Sequence, residues 1–291
     1  MSAASTATLR CGVLAYGPSR RLHLEASMAL LTLREFAPRD ADVVVFTDHP
    51  SVYTWLARHV TVERLTDDTI AAWRGPSKDR FRPKIEALRR LAGDGADALL
   101  VDADTMARAS LVPLAEHLSA GGFVLHEREY QVSRTRRQGD QALKKEILGQ
   151  RWRDIAADEN TWMWNGGVIG SSGKHPRVLD TALDVFDQMR AVSTHFALEQ
   201  LAYSIVFPAY GPVREAKHWF DHYWANRSWF DRRIERFLSD VLLDHLTPEA
   251  AGQRLRRSPI SGPLDGRVPW WRNRLRRLLR IEIDDDADTV D

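Results

Sequence analysis

The chain has 291 residues, 44% of them hydrophobic and 28% charged, which is typical of a soluble globular protein that buries a large core without metal or disulfide staples. Its 41 basic and 40 acidic residues leave a formal charge of +1, so the overall charge carries no footprint of nucleic-acid binding and we expect no nucleic-acid partner. The single cysteine, Cys11, excludes a disulfide framework and a zinc site built from several cysteines.

Residues 1–10 are small and polar and lack the apolar core of a signal peptide. No stretch approaches the run of about 18 apolar residues that spans a bilayer. We therefore expect a cytoplasmic protein, with any membrane contact peripheral and at the inner face.

The first 229 residues alternate short apolar runs with helical patterns, which predicts one α/β domain with a mainly parallel central sheet flanked by crossover helices. The predicted strands are 10–16, 42–47, 98–101, 122–126 and 163–169. The predicted helices are 21–36, 83–92, 141–157, 176–189 and 196–207, the last of which we expect Pro208 to stop.

Residues 230–283 are predicted to form a C-terminal helical extension, and the acidic residues 284–291 a disordered tail. Within the extension, 230–245 is amphipathic, and Thr247 caps a second helix. Residues 270–281 form a basic amphipathic pattern with Trp and Leu on one side and arginines on the other. Such a helix either lies in an anionic membrane interface or packs on the α/β domain.

Two carboxylates, Asp102 and Asp104, directly follow the buried strand at 98–101. In an open α/β sheet, ligands bind outside the carboxyl ends of the strands. Two carboxylates separated by one residue on a tight turn can share one hard divalent cation. The alternative is a solvated turn in which Asp104 caps the following helix.

A second motif, Asn165-Gly166-Gly167, lies at a predicted strand. Its glycines let the backbone approach a ligand closely, and the asparagine side chain both donates and accepts hydrogen bonds. The alternative is a turn softened by glycine at the start of a strand.

Two further motifs lie later in the chain. Glu199-Gln200 interrupts a strongly apolar helix. Either the carboxylate is paired or directed toward a ligand, or one of the two residues lies on the exposed face of the helix. His218, His222 and Arg227 lie in an aromatic strip, where an imidazole can bind a metal and a guanidinium a phosphate. The alternative is an aromatic packing strip with satisfied histidines.

In their order along the chain, these motifs resemble the nucleotide-sugar-dependent glycosyltransferases of the GT-A (nucleotide-diphospho-sugar transferase) fold. The likeness is greatest to the glycogenin and galactosyltransferase-like branch, family 8, and spans roughly residues 9–229. In that branch a D-x-D motif and a late histidine hold manganese on the donor diphosphate. Asp102, Asp104 and His222 match those metal ligands.

The resemblance also assigns roles to other positions. Donor-binding positions are Tyr16 and Gly17 at the nucleoside end, Lys84, Asp102, Gly166, Gly167 and Arg227. Catalytic positions are Asn165, Glu199 and Gln200. The chain departs from the family at two of these positions, since Glu199 stands where the family has aspartate and Arg227 stands near its phosphate-binding lysine.

The resemblance implies a metal-dependent glycosyltransferase of the hexosyltransferase type. It would move a sugar from a nucleoside-diphosphate sugar to a hydroxyl of an unidentified glycan, lipid or protein acceptor. A UDP-sugar is the donor that the resemblance favours. A divalent ion, Mn²⁺ or Mg²⁺, would stabilise the charge that develops on the leaving diphosphate. The resemblance implies retention of anomeric configuration, whereas an inverting enzyme could use Glu199 as its base.

Two alternatives stay open. The segment ALLVDADT also resembles the first motif of haloacid-dehalogenase-like phosphohydrolases, with Asp102 as nucleophile, Asp104 as acid/base and Lys144 or Lys145 as the required lysine. No later strand ends in the acidic pair that this family needs. The other alternative is a sugar-nucleotide-fold protein that binds a partner without catalysis.

Overall fold

The computed structural model describes residues 9–93 and 95–264. The strands are β1 (Arg10–Leu14), β2 (Asp42–Thr47), β3 (Thr61–Arg64), β4 (Ala98–Val101), β5 (Thr105–Ala107), β6 (Phe123–Gln131), β7 (Arg151–Trp152), β8 (Ile155–Ala156), β9 (Trp162–Ser171), β10 (Val213–Glu215) and β11 (Phe220–His222). The α-helices are α1 (Arg20–Phe36), α2 (Asp67–Arg74), α3 (Arg82–Ala92), α4 (Val112–Ser119), α5 (Asp140–Ile147), α6 (Val178–Val192), α7 (Leu198–Tyr210), α8 (Arg227–Leu243) and α9 (Pro248–Arg257).

Seven of these strands form the central sheet, in the order β10-β6-β9-β4-β1-β2-β3. β3, β2, β1 and β4 run parallel to one another, and β10 runs parallel to β6. Only β9 is antiparallel to its neighbours in this sheet, β4 and β6. The predicted α/β class with a mainly parallel sheet flanked by helices is confirmed.

Helices cover both faces of the sheet, which explains why the central strands are continuously apolar. Along β4, Leu99 and Val101 join the core beneath α1, whereas Ala98 and Leu100 join the core beneath α3, α6 and α7. All four residues of the strand are buried. The polar residues that follow β4 are therefore held at a rigid sheet edge.

The C-terminal helices α8 and α9 pack on α1 and share its core. Phe230 and Ile234 of α8 are buried, as are Ala251 and Leu255 of α9. The division of the chain at residue 229 stays a prediction. The predicted helix 270–281 and tail 284–291 lie outside the described residues.

Two local predictions are wrong. The predicted helix 141–157 ends at Ile147 as α5, because Leu148 is extended and Gly149 has a φ of +80°, after which β7 and β8 form a short hairpin. Pro208 does not stop α7, which continues to Tyr210. A proline in the last turn removes one backbone donor but leaves the two remaining helical residues in place.

Between β2 and α3 the chain forms β3 and α2, neither of which the sequence patterns predicted. Both are short, with four and eight residues, and α2 contributes only the partly buried Ile70 and Trp73 to the core. Among the helices that the structure describes, none combines the length and the hydropathy that crossing a bilayer requires.

Candidate functional site

Asp102 and Asp104 lie at the carboxyl end of β4, on the short turn that leads into β5. β5 pairs antiparallel with β11, and His222 lies opposite Thr105 in this ribbon. The Tyr223 N–H donates to the main-chain carbonyl of Asp104 over 3.1 Å. The ribbon therefore brings a late segment of the chain onto the turn that carries the two aspartates.

Three side chains at this turn could hold one divalent ion. His222 Nε2 lies 3.4 Å from Asp104 Oδ1. Asp102, Asp104 and His222 each offer a ligand atom, and these atoms lie within 4.8 Å of one another. Two carboxylate oxygens and one imidazole nitrogen form a donor set that suits Mn²⁺, with Mg²⁺ also compatible. His218, the competing histidine, is exposed, and its carbonyl accepts from Arg108 Nε.

β9 delivers the glycine motif to the same turn. The Asp102 N–H donates to the Gly167 carbonyl over 2.9 Å. A Cβ on Gly167 would lie 2.4 Å from His222 Nδ1, so the imidazole can occupy this position only against a glycine. Asn165 Oδ1 accepts from the Gly167 N–H at 2.8 Å, and the Gly166 N–H donates to Gln200 Oε1 at 3.2 Å. The motif thus fixes the imidazole and links it to α7.

A partly buried lysine, Lys84, joins Asp102 to α7. Lys84 Nζ lies 2.8 Å from Asp102 Oδ1 and 3.6 Å from Glu199 Oε1, and it donates to the Gly166 carbonyl over 3.1 Å. Burial opposes the lysine charge, but the carboxylates of Asp102 and Glu199 outweigh it and raise the pKa of Lys84. Glu199 is 1% exposed, and burial raises its pKa to about 7 even though Lys84 opposes the rise.

Replacing Glu199 by glutamine should flatten part of the pH dependence of folding stability. The folded-state pKa of about 7 exceeds the usual 4.5, so the stability contributed by the protonated carboxyl is complete below about pH 4.5 and lost as the pH rises through 7. In urea unfolding between about pH 5 and 8, the parent should therefore lose unfolding free energy relative to Glu199→Gln. If the unfolding free energies of the two proteins changed in parallel with pH, Glu199 would not have a raised pKa in the folded protein.

Asp104 is held ionised by the cations around it. Burial opposes its charge, but the hydrogen bond and charge of His222, with the charges of Arg227 and Lys84, outweigh burial and lower the pKa of Asp104 to about 2. Arg227 Nε lies 3.5 Å from Asp104 Oδ2. The carboxylate is therefore available as an anionic ligand across the physiological pH range.

Tyr16 and Gly17 lie at the end of β1, on the same edge of the sheet as Asp102. The Gly17 N–H donates to both oxygens of Asp48 at 3.0 Å, and His23 Nε2 lies 2.8 Å from the Gly17 carbonyl. Gly17 has a φ of +95°, which favours glycine. Neither Tyr16 nor Gly17 makes a hydrogen bond or ion pair with Asp102, Asp104 or Lys84 among the described residues.

His23, Asp48 and His49 form a second group whose ligand atoms lie close together. Both ring nitrogens of His23 are already engaged, since Nδ1 lies 2.8 Å from Tyr53 Oη and Nε2 lies 2.8 Å from the Gly17 carbonyl. These contacts indicate that His23 holds the Gly17 turn in place and is a poor metal ligand.

Sequence patterns missed three residues that contact the site. Glu25 of α1 is 1% exposed and forms an ion pair with Arg227. His126 of β6 places its ring edge-on to His222, with centroids 5.1 Å apart, and burial lowers the pKa of His126 to about 3. Glu129 Oε1 accepts from Asn165 Nδ2 over 3.1 Å. Glu25 could have been found, because it interrupts the apolar face of the helix predicted at 21–36.

Comparison with protein-family models finds no match, and comparison with curated protein sequences finds none. Among solved structures, the chain is similar to the WbbM bifunctional glycosyltransferase, with 12% identity and a TM-score of 0.49 over 74% of this chain and 40% of that one. It is similar to the galactosyltransferase LgtC, solved with donor and acceptor sugar analogues, with 14% identity and a TM-score of 0.47 over 71% of this chain and 73% of that one. Mouse xyloside xylosyltransferase 1 gives 12% identity and a TM-score of 0.47, covering 72% of this chain and 84% of that one. At these levels of similarity, the function must be inferred from the geometry of the site.

Proposed function

We propose that this chain is a metal-dependent glycosyltransferase of the GT-A fold, which moves a sugar from a nucleoside-diphosphate sugar to an acceptor hydroxyl. The observation that carries the proposal is the convergence of Asp102, Asp104 and His222 at one sheet edge, with Lys84 and Arg227 beside them. Carboxylates that can hold a divalent ion, flanked by two cations, suit a diphosphate that gains negative charge as it leaves.

In this proposal Asp102, Asp104 and His222 hold the divalent ion, which when bound stabilises the negative charge of the leaving diphosphate. Lys84 orients the Asp102 carboxylate and adds positive charge next to the diphosphate. Arg227, whose side chain is 37% exposed, offers a guanidinium that can bind phosphate oxygens in a bidentate manner. Tyr16 and Gly17 would receive the nucleoside at the end of β1.

The transferred sugar would face α7 and the glycine motif. Glu199 Oε1 is buried and accepts no hydrogen bond from a described residue, although Lys84 lies nearby, so it can accept from a sugar hydroxyl. Gln200 and Asn165 fix the main chain of β9 at Gly166 and Gly167. The resemblance of the motifs to the family 8 branch supports three finer proposals, namely a UDP donor, Mn²⁺ as the ion and retention of configuration.

The phosphohydrolase alternative is not favoured by the surroundings of Asp102. The lysine that contacts Asp102 is Lys84 of α3. Lys144 and Lys145 lie on α5, and neither forms an ion pair within the described part of the chain.

We also propose residues 1–229 as the catalytic domain and 230–283 as its helical extension.

A thermal-shift panel tests the proposal. Nucleoside diphosphates and nucleotide sugars are added to the full chain with and without Mn²⁺, and a ligand at 100 times its dissociation constant should add about 2.7 kcal/mol of stability. We expect stabilisation by a diphosphate-containing nucleotide that depends on Mn²⁺. Stabilisation that does not depend on Mn²⁺, or no stabilisation at all, would contradict the proposal. If the chain binds a nucleotide sugar but releases no nucleoside diphosphate when acceptors are added, the non-catalytic alternative is favoured.

A further inference from the structure

Glu25 is a carboxylate on the buried face of α1, and it lies far from the sequence motifs. Glu25 is 1% exposed, and its neighbours on the helix are mostly apolar. A buried carboxylate is strongly destabilising unless it is paired and hydrogen-bonded. The side chains that pair with Glu25 must therefore compensate for the burial of its charge.

The main partner of Glu25 is Arg227, the first residue of α8. Arg227 Nη2 lies 2.5 Å from Glu25 Oε2, and Nε lies 3.0 Å from Glu25 Oε1, which is a bidentate ion pair. Arg21 Nε is a weaker partner at 3.4 Å from Glu25 Oε1. Both carboxylate oxygens of Glu25 thus accept from one edge of the Arg227 guanidinium, and Oε1 also accepts from Arg21.

Asp104 competes for the same edge of Arg227. Arg227 Nε lies 3.5 Å from Asp104 Oδ2, compared with 3.0 Å from Glu25 Oε1. Glu25 therefore holds the guanidinium in the closer, two-bond contact, and Asp104 has only a longer, single contact. If Glu25 lost its charge, the strongest remaining acceptor for the Nε–Nη2 edge would be Asp104, a proposed metal ligand.

We propose that Glu25 is a positioning residue that keeps Arg227 from pairing with Asp104, so that the Asp104 carboxylate stays available to a divalent cation. This inference rests on the proposed function. It also explains why position 227 holds arginine, because a lysine cannot form the bidentate contact that fixes the guanidinium plane. The ion pair between α1 and α8 thereby links the C-terminal helices to the metal-binding turn.

The test measures the binding of Mn²⁺ alone to the full chain, by electron paramagnetic resonance of the free ion. Glu25→Gln should weaken Mn²⁺ binding by roughly tenfold or more, the effect typical of losing a residue that orients a metal ligand. Glu235→Gln is the matched control. Glu235 belongs to the same α1–α8 contact and pairs with Arg20 at 2.7 Å, but it is exposed and does not contact Arg227.

A second substitution separates positioning from a general structural role. In the Glu25→Gln background, Arg227→Met removes the guanidinium that would cap Asp104, so Mn²⁺ affinity should return to within about threefold of the parent, while nucleoside diphosphate binding stays weak. A purely structural defect would not be repaired by a second change. If Glu25→Gln fails to fold, Glu25→Asp, which shortens the reach toward Arg227, should give a smaller loss of Mn²⁺ binding.

The outcomes distinguish the two levels of inference. A parent that binds no Mn²⁺ would contradict the proposed metal-dependent function and, with it, this role of Glu25. A parent that binds Mn²⁺ equally well with and without the Glu25 carboxylate would overturn only the positioning role. Tighter Mn²⁺ binding by Glu25→Gln, or a double variant as weak as the single one, would overturn it as well.

Discussion

Replacing Asp104 by asparagine is expected to abolish manganese-dependent binding of a nucleotide sugar while the fold stays intact. Asp104 is the residue on which His222 and Arg227 converge, at 3.4 Å and 3.5 Å. An amide keeps the shape of the side chain but removes the anionic ligand. Since loss of a residue that only orients a metal ligand costs about 10- to 100-fold in affinity, loss of the ligand itself should cost about 100-fold or more.

Calorimetric titration of the full chain with Mn²⁺ and a nucleotide sugar measures this loss. Asp221→Asn is a suitable control, because Asp221 lies beside His222 in β11 and pairs with Arg108 at 2.5 Å. The control should bind and transfer sugar as the parent does. Sugar transfer by Asp104→Asn at the parent's rate would show that the aspartate pair has another role.

Replacing His222 by alanine should weaken Mn²⁺ and donor binding together, with folding little changed. Two carboxylates on one turn fill only part of a divalent ion's coordination shell, and in the proposed site His222 would supply a nitrogen ligand from a separate strand. We expect a loss of about tenfold or more in the affinity for both. The affinities for Mn²⁺ and for the donor should fall in parallel, because in the proposed function the diphosphate binds through the ion.

His218→Ala provides the comparison for this prediction. His218 is one histidine earlier in the aromatic strip but is exposed, so its loss should change Mn²⁺ affinity by less than about twofold. Circular dichroism and thermal unfolding of both variants check the fold. Equal effects of the two substitutions on Mn²⁺ binding would contradict the assignment of His222.

The sequence marks the carboxylate turn and the glycine motif as candidates, and the strand order places both at one edge of the sheet. Asp102 follows a continuously apolar strand, and ligands bind at the carboxyl ends of such strands. β9 runs antiparallel beside β4, so the middle of β9, with Gly167, lies next to the carboxyl end of β4. Local patterns therefore marked these two motifs as candidates, whereas the antiparallel orientation that brings them together comes from the packing of the sheet.

Contacts between distant helices were not predictable in the same way. Nothing in the local pattern of α1 says that Glu25 meets Arg227, because that pairing depends on how α8 packs across α1. The 141–157 region illustrates a related limit. Its apolar residues fit a helical period, but the helix ends before Gly149. Trp152 is buried in the short hairpin that follows.

We propose that Asp102, Asp104 and His222 hold the metal ion that carries the donor diphosphate. Crystals of the full chain grown with Mn²⁺ and a nucleoside diphosphate test it most directly, through the anomalous scattering of manganese. We predict an anomalous peak bound by both carboxylates and the imidazole, with the diphosphate as a further ligand and Lys84 and Arg227 next to its oxygens. A peak at His23, Asp48 and His49, or a diphosphate bound with no imidazole on its ion, would contradict this metal site.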